Sequence, residues 1–244
     1  MRIERILILG GTGLAREAAN ALVPHVTTVV TSLAGVTRTP HLPHGEVRVG
    51  GFGGVDGLVA YLRDAKMDLL IDATHPFAAQ MSAHAQAASV GVGVRLIRLE
   101  APAWKPQKSD DWRQVGSVAE VVEALPKNAI VAVTVGRKEI GAFFARADIS
   151  GIARMIEPPG VATPVHWQVL LERPPFTLEL EVDLLRSSEA EFLVCKNAGG
   201  LRVAKLDAAA ALGLPVIMIV RPFKPVVATV ATIAELLGTL GIAD

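Results

Sequence analysis

The residues best suited to chemistry stand near the N-terminus, where an apolar run, residues 6–9, ends in a turn of three glycines and one threonine. Such a turn lets a pyrophosphate approach main-chain N–H groups at the positive end of the following helix. Its spacing matches the first half of the GxGxxG motif, although Arg16 stands where the third glycine would be. An ordinary tight turn is the alternative. We predict dinucleotide contacts at Gly10, Gly11, Thr12, Gly13 and Arg16.

A second loop, which follows the apolar run 26–30, indicates which dinucleotide is preferred. An NAD-preferring site usually places Asp or Glu about 20 residues beyond the glycines, on the ribose 2′-hydroxyl. No acidic residue occurs between residues 26 and 38. Hydroxyl, N–H and guanidinium donors favour NADPH over NADH, whereas a solvated polar loop would have a similar composition. The predicted contacts are Ser32, Leu33, Ala34, Gly35 and Arg38.

A third turn, DATHP, closes the apolar run LLID and begins at Asp72. Ligands of an open α/β sheet lie beyond the carboxyl ends of its strands. We therefore expect this turn to face the same crevice as the glycines, on the nicotinamide side. Asp72 and His75 are candidate catalytic groups, and the alternatives are that Asp72 caps the next helix and His75 bonds only locally. The predicted cofactor contacts are Ala73, Thr74, His75 and Pro76.

These turns belong to a regular alternation of short apolar runs with helix-period segments. The alternation predicts βαβ units and parallel sheets buried on both faces. A polar, proline-containing stretch, residues 102–111, interrupts the rhythm before it restarts at residue 130. We predict an α/β protein with two Rossmann-like domains whose parallel sheets flank a cleft. Residues 1–101 would bind NADPH and residues 102–244 would form the substrate side, with a last helix able to pack back toward the first domain.

Composition narrows the classes of function. Lys plus Arg and Asp plus Glu each number 24, so no global basic field would attract nucleic acid or an anionic membrane. A hydrophobic content of 51% excludes intrinsic disorder. One cysteine, Cys195, cannot form an intramolecular disulfide or a thiolate zinc site. Signal-peptide and membrane-span patterns are lacking. We expect a cytoplasmic monomer without a metal ion.

Longer motifs occur in a recognisable order along both halves: DATHPFA (72–78), VGRKEI (135–140), KNAGG (196–200), AKLDAA (204–209) and GLPVIMIVRP (213–222). In this order they resemble the precorrin-6A reductase family over nearly the whole chain. The chain departs from the family at Gly13 and Leu14, where many members have a polar residue and an acid, and at Ala101, which replaces a commonly basic residue. The resemblance implies an NADPH-dependent oxidoreductase that reduces one carbon–carbon double bond of precorrin-6A to give precorrin-6B, a step of cobalamin biosynthesis.

The implied substrate is a corrinoid precursor with many carboxylates, so a neutral protein must concentrate cations near it. In the second half, cations stand at the carboxyl ends of successive predicted strands, where a crevice is expected. Scattered surface cations are the alternative. Lys196 and Asn197 are the first candidates for orienting the substrate as catalytic residues, and the proton donor stays open among Asp72, His75, Lys196 and water. The predicted substrate contacts are Arg137, Lys138, Lys196, Gly199, Gly200 and Arg221, with the two glycines presenting N–H groups at a helix start.

A different class fits part of the pattern, namely a two-domain sensor that binds NADP(H) and signals to a partner protein without catalysis. Tyr61 is the only tyrosine and is followed four residues later by Ala65, so the Tyr and Lys pair of short-chain dehydrogenases is absent. This absence suits a sensor. The cations at strand ends favour the reductase, since a sensor has no evident need for them.

Overall fold

The computed structural model describes residues 3–35 and 42–242 of the 244-residue chain. The chain forms two compact units, the first made of Met1–Pro102 and Pro222–Asp244 and the second of Ala103–Arg221. Residues 222–242, which the sequence predicts to be part of the second domain, belong instead to the first unit. The physical reason is that the strand at Thr229 and Val230 pairs within the first sheet.

The first unit contains one six-stranded sheet in which every pairing is parallel. Its elements are β1 (Arg5–Leu9), α1 (Gly13–Leu22), β2 (Thr28–Leu33), β3 (Glu46–Val49), α2 (Val55–Asp64), β4 (Leu69–Asp72), α3 (Ala79–Val92), β5 (Arg95–Leu99), β12 (Thr229–Val230) and α8 (Ile233–Leu240). The strand order β12-β5-β4-β1-β2-β3 is the 3-2-1-4-5-6 order of Rossmann folds, with β12 in the sixth position.

The central strand β1 shows why the apolar runs form buried strands. Side chains alternate between the two faces of a strand, so a run that is apolar throughout can be covered on both sides. Ile6 and Ile8 pack with residues of α1 and α8, whereas Leu7 and Leu9 pack with residues of α2 and α3. None of these four side chains is more than 2% exposed.

The second unit has its own six-stranded sheet, again with parallel pairings throughout. Its elements are β6 (Trp112–Val115), α4 (Val118–Ala124), β7 (Ile130–Thr134), α5 (Ile140–Phe144), β8 (Ser150–Met155), β9 (Trp167–Leu171), α6 (Leu178–Ser187), β10 (Phe192–Lys196), α7 (Ala204–Leu212) and β11 (Val216–Ile219). The order is β6-β11-β10-β7-β8-β9. The prediction of an α/β fold with two parallel sheets is confirmed.

Each sheet has one point at which the strand order reverses, and ligands of such folds bind beyond the carboxyl ends of the strands there. In the first sheet the reversal lies between β1 and β4, and in the second it lies between β7 and β10. This rule predicts that residues 10–12 and 73–78 line a first crevice and that residues 135–139 and 197–203 line a second.

Candidate functional site

Thr12 links the two loops of the first crevice. It is the N-cap of α1, where its hydroxyl accepts a hydrogen bond from Ala15 N at 3.0 Å, and it donates to Ala73 O at 2.9 Å. Capping residues of this type stabilise the helix start and fix its position. Since the hydroxyl is engaged in both directions, Thr12 holds the loop after β1 against the loop after β4.

The glycines of this turn have different physical roles. A Cβ on Gly10 would lie 2.8 Å from Thr31 Cγ2 and 3.5 Å from Ser32 O, so this position has no room for a side chain. Gly11 has a φ of 110°, a left-handed conformation that favours glycine. Gly13 begins α1, and a Cβ there would have no heavy atom within 4 Å. Arg16 lies half-buried on the same helix.

At the carboxyl end of β2 the structure adds a residue that the sequence analysis missed. Ser32 is buried, and its hydroxyl accepts a hydrogen bond from Arg48 Nη1 at 3.0 Å. Arg48 lies in β3 directly opposite Ser32 in the strand register. Leu33 is half-buried and the following loop is exposed as far as Gly35. Arg38, the predicted guanidinium donor, lies outside the described residues.

The third turn is anchored by Asp72, whose carboxylate lies beneath the surface. Asp72 is 1% exposed and accepts hydrogen bonds from the N–H and the hydroxyl of Thr74, at 3.3 and 2.7 Å. Burial raises the pKa of Asp72, but the neighbouring Ser82 and Thr74 hydroxyls and the charge of Lys224 outweigh it. The pKa therefore lies below the ordinary range, and Asp72 is a carboxylate at neutral pH.

Arg98 and Lys224 connect this turn to the segment that precedes β12. Arg98, which is 6% exposed, donates from Nε to Asp72 at 3.3 Å and from Nη1 to Pro225 O at 3.0 Å. Lys224 donates to a Glu100 carboxylate oxygen at 2.6 Å. These contacts fasten residues 224–225 to the carboxyl ends of β4 and β5.

In the rest of the DATHP turn, Ala73, Thr74 and Pro76 are buried, and only His75 reaches the surface. His75 is exposed, and its Nδ1 accepts a hydrogen bond from Phe77 N at 3.2 Å. Ala78 is the N-cap of α3 and provides no side-chain cap. The alternative that Asp72 caps this helix is therefore wrong, whereas a local hydrogen bond of His75 is present.

In the second crevice, Lys196 and Asn197 stand side by side at the end of β10 but have different surroundings. The Lys196 ammonium forms an ion pair with the Glu139 carboxylate, which comes from the loop after β7. Asn197 is 5% exposed, and its amide accepts from Trp104 N at 2.8 Å and donates to Trp104 O at 2.9 Å. The Asn197 side chain thus holds the backbone at Trp104.

The remaining predicted substrate residues fall on neighbouring loops at this edge of the second sheet. Arg137 is half-buried and Lys138 exposed, both after β7, and Gly199 and Gly200 follow β10 with φ values of 75° and 82°. The two glycines precede Val203, the N-cap of α7, so the expectation that they lie at a helix start is wrong. Arg221, after β11, donates to the backbone carbonyls of residues 197 and 198 at 3.1 and 2.8 Å. The fold thus places Arg137 and Lys138 on the loop after β7 and Lys196 at the end of the neighbouring strand β10, whereas Arg221 is bonded to the backbone of the loop after β10.

Lys205 was not predicted from the sequence. It lies in the first turn of α7 and donates to Thr134 Oγ1 at 2.9 Å, which adds a third ammonium group, beside those of Lys138 and Lys196, at this edge of the sheet. Among residues 3–35 and 42–242, no group of three or more His, Cys, Asp or Glu side chains could hold a metal ion. No helix in the same part of the chain is long and apolar enough to cross a membrane.

Comparisons with known proteins agree with these features. The family model described as precorrin-6x reductase CbiJ/CobK matches residues 5–240. A precorrin-6A reductase from Rhodococcus erythropolis is 45% identical, over 98% of each chain. One from Rhodobacter capsulatus is 41% identical, over 98% of this chain and 96% of that protein. A solved structure described as CobK precorrin-6A reductase superposes with a TM-score of 0.90 at 40% identity, covering 98% of this chain and 97% of the other. The chain therefore belongs to the precorrin-6x reductase CbiJ/CobK family.

Proposed function

We propose that this protein is an NADPH-dependent precorrin-6A reductase, which reduces one carbon–carbon double bond of the macrocycle to give precorrin-6B in cobalamin biosynthesis. The observation that carries the proposal is the family match over residues 5–240. The proposal includes a cytoplasmic monomer, and sedimentation velocity would test the monomeric state.

The first unit supplies groups that suit a nicotinamide dinucleotide. The first-turn N–H groups of an α-helix have no intrahelical acceptors, so those of Gly13 and Leu14 are available to a pyrophosphate beside Gly10 and Gly11. Because a Cβ on Gly10 would collide with Thr31 of β2, a larger residue there would displace this turn. Residues 32–35 and Arg38 would hold the adenosine ribose, and residues 73–76 would face the nicotinamide. When bound, NADPH supplies the hydride for the reduction.

In the second unit we assign substrate binding to Arg137, Lys138, Lys196, Arg221 and the N–H groups of residues 199 and 200. Carboxylates of the ring would compete with Glu139 for the Lys196 ammonium, since both are acceptors for the same donor. Asn197 acts differently, as a positioning residue, because both polar groups of its amide are already bonded to Trp104. It keeps the loop after β10 in the conformation that presents Lys196.

The geometry also narrows the choice of proton donor. Asp72 is a poor candidate, since its pKa is lowered and its side chain is buried against Arg98. We assign Asp72 to positioning the 73–76 turn. Protonation of the carbon next to the site of reduction is then left to His75, Lys196 or water. Exclusion of bulk water and alignment of the two rings are the main catalytic tasks of the protein.

The decisive experiment is anaerobic turnover of purified protein with NADPH and precorrin-6A, with NADH and cobalt-precorrin-6A as parallel arms. Loss of the reduced nicotinamide absorbance that requires both NADPH and the macrocycle supports the reductase. NADPH binding without oxidation on either ring would favour the sensor instead.

A variant pair tests the assignment of Lys196. Lys196→Ala should lower turnover on the order of 10- to 100-fold, the effect of losing one charged hydrogen bond, while NADPH affinity changes little. Lys127→Ala is the matched control, because Lys127 is an exposed lysine of the same unit. Equal losses of turnover and NADPH affinity in Lys196→Ala would contradict the assignment.

A further inference from the structure

We propose that Arg48 binds the 2′-phosphate of NADPH and is a determinant of the preference for NADPH over NADH. The inference rests on the proposed function, because it takes the first unit to bind a nicotinamide dinucleotide. It adds a residue from β3 to the predicted contacts in the loop after β2.

Arg48 lies beside the carboxyl end of β2. Ser32 is the penultimate residue of β2, and Arg48 is its partner in the parallel register with β3. The two strands stay paired beyond this point, since Gly50 N donates to Leu33 O at 2.8 Å. In a Rossmann unit the ribose 2′ position lies at the carboxyl end of the second strand. Arg48 therefore reaches the place where a 2′-phosphate would be.

The guanidinium is held in one orientation before any ligand arrives. Nη1 donates to Ser32 Oγ at 3.0 Å and to Gly50 O at 2.6 Å, while Nη2 donates to Gly51 O at 2.8 Å. One face of the group lies over the Phe52 ring, with Cζ 3.8 Å from the ring centroid. A cation that is already oriented loses less conformational freedom when it binds an anion.

These contacts leave donors for a ligand. An arginine has five N–H donors, and within the described residues those on Nη1 and one on Nη2 have protein acceptors. The donors that remain are one on Nε and one on Nη2, atoms that share an edge of the planar group. Such an edge can engage two phosphate oxygens at once.

The charges near Arg48 also favour an anionic ligand. None of the described carboxylates forms an ion pair with Arg48, although the exposed Glu46 lies two residues before it in β3. The hydrogen-bond acceptors of Arg48 are two carbonyls and a hydroxyl, so no acceptor bonded to it carries a full negative charge. A phosphate dianion would neutralise the guanidinium charge, whereas the 2′-hydroxyl of NADH would not. The same geometry could instead only brace the turn at residues 50–51, and the two roles give different results.

The test measures dissociation constants of NADPH and NADH without macrocycle, by fluorescence titration, for wild type, Arg48→Gln and Arg48→Lys. We expect Arg48→Gln to weaken NADPH binding on the order of 10- to 100-fold, as for loss of a charged hydrogen bond, and to change NADH binding less than about threefold. Arg48→Lys should recover part of the affinity through its charge. Arg63→Gln, an exposed arginine of α2 that donates to Gly91 O, is the control.

Three outcomes would overturn the inference. Equal weakening of both cofactors by Arg48→Gln, with a lower melting temperature, assigns Arg48 to bracing alone. If Arg38→Gln abolishes the preference for NADPH over NADH and Arg48→Gln leaves it unchanged, the 2′-phosphate is bound by Arg38. A wild type that binds both cofactors equally removes the preference itself, and this outcome also overturns the cofactor part of the proposed function, unlike the first two.

Discussion

Replacing Asp72 by Asn removes one charge from a buried ion pair and leaves the other in place. In the wild type the Asp72 side chain is fully buried and that of Arg98 is 7% exposed. The Nη2 atom of Arg98 is buried and has no hydrogen-bond partner among the described residues, so the guanidinium depends on Asp72 and on Pro225 O. Removing one partner of a buried pair costs about 3–5 kcal/mol.

We expect Asp72→Asn to lie at the lower end of that range, because an Asn side-chain oxygen can still accept from Thr74. A loss of about 3 kcal/mol corresponds to a fall of about 6–12 °C in melting temperature at 2–4 °C per kcal/mol. The three tryptophans, at positions 104, 112 and 167, all belong to the second unit. Circular dichroism reports on both units, whereas tryptophan fluorescence reports on the second unit. We therefore expect Asp72→Asn to lower the melting temperature measured by circular dichroism more than the one measured by fluorescence.

The difference in unfolding free energy between the wild type and Asp72→Asn should depend on pH in a direction that follows from the pKa of Asp72. The folded-state pKa of Asp72 is lowered, so its contribution is present above the unfolded-state pKa of about 3.9 and is lost as the pH falls. The stability gap between wild type and Asp72→Asn should be constant from about pH 8 to 5 and should shrink below about pH 4. Asp72→Asn combined with Arg98→Met should recover stability, since no buried charge is left alone.

The same variant separates positioning from proton donation. A variant that is less stable but keeps most of its turnover when saturated with NADPH at low temperature agrees with a positioning role. If Asp72→Asn were as stable as the wild type, the expected cost of leaving the Arg98 charge without its partner would be refuted. Asp72 would be the proton donor if Asp72→Asn were as stable as the wild type but turned over more than about 100-fold more slowly, a usual effect of losing a general acid.

Three further predictions concern other described residues. Asn197→Ala should leave the N–H and C=O of Trp104 without partners, which should shift the tryptophan emission of the folded protein to the red and lower its stability by about 2–4 kcal/mol. Urea unfolding followed by fluorescence measures the stability, and an unchanged urea midpoint would contradict the contact. Gly10→Ala should weaken NADPH binding in a titration, because the new Cβ would lie 2.8 Å from Thr31 Cγ2; unaltered affinity would show that the turn can adjust. Burial raises the pKa of the Cys195 thiol, so it should react with a disulfide reagent at pH 8 only after unfolding in urea, and rapid labelling of the folded protein would count against this packing.

The sequence predicted the interior strands and missed the edge strands, for a physical reason. Interior strands are covered on both faces and appear as apolar runs, as in β1 and β10. The four edge strands are β3, β6, β9 and β12, and their sequences mix polar and apolar residues because parts of them are exposed. Thr229 and Val230 form a strand of only two residues, which is too short to appear as an apolar run.

The candidate site shows a similar limit. Glycine spacing and strand ends predicted the loops, because those signals are local in sequence. The partners of the side chains could not be predicted, since Asn197 and Trp104 are 93 residues apart and Asp72 and Arg98 are 26 apart. Arg48 was missed together with β3, because a short segment of mixed polar and apolar residues does not indicate a strand. The sequence therefore could not show that Arg48 lies opposite the Ser32 hydroxyl.

The position of β12 has a consequence for how the protein is made. The strand that completes the first sheet and the helix that covers β1 come from the last part of the chain, after the whole second unit. During synthesis this sheet cannot gain its sixth strand until residues 229–230 have left the ribosome, and by then the whole second unit has already been made. Domains usually fold in the order in which they are synthesised. Here the first unit is the later of the two to have all six of its strands.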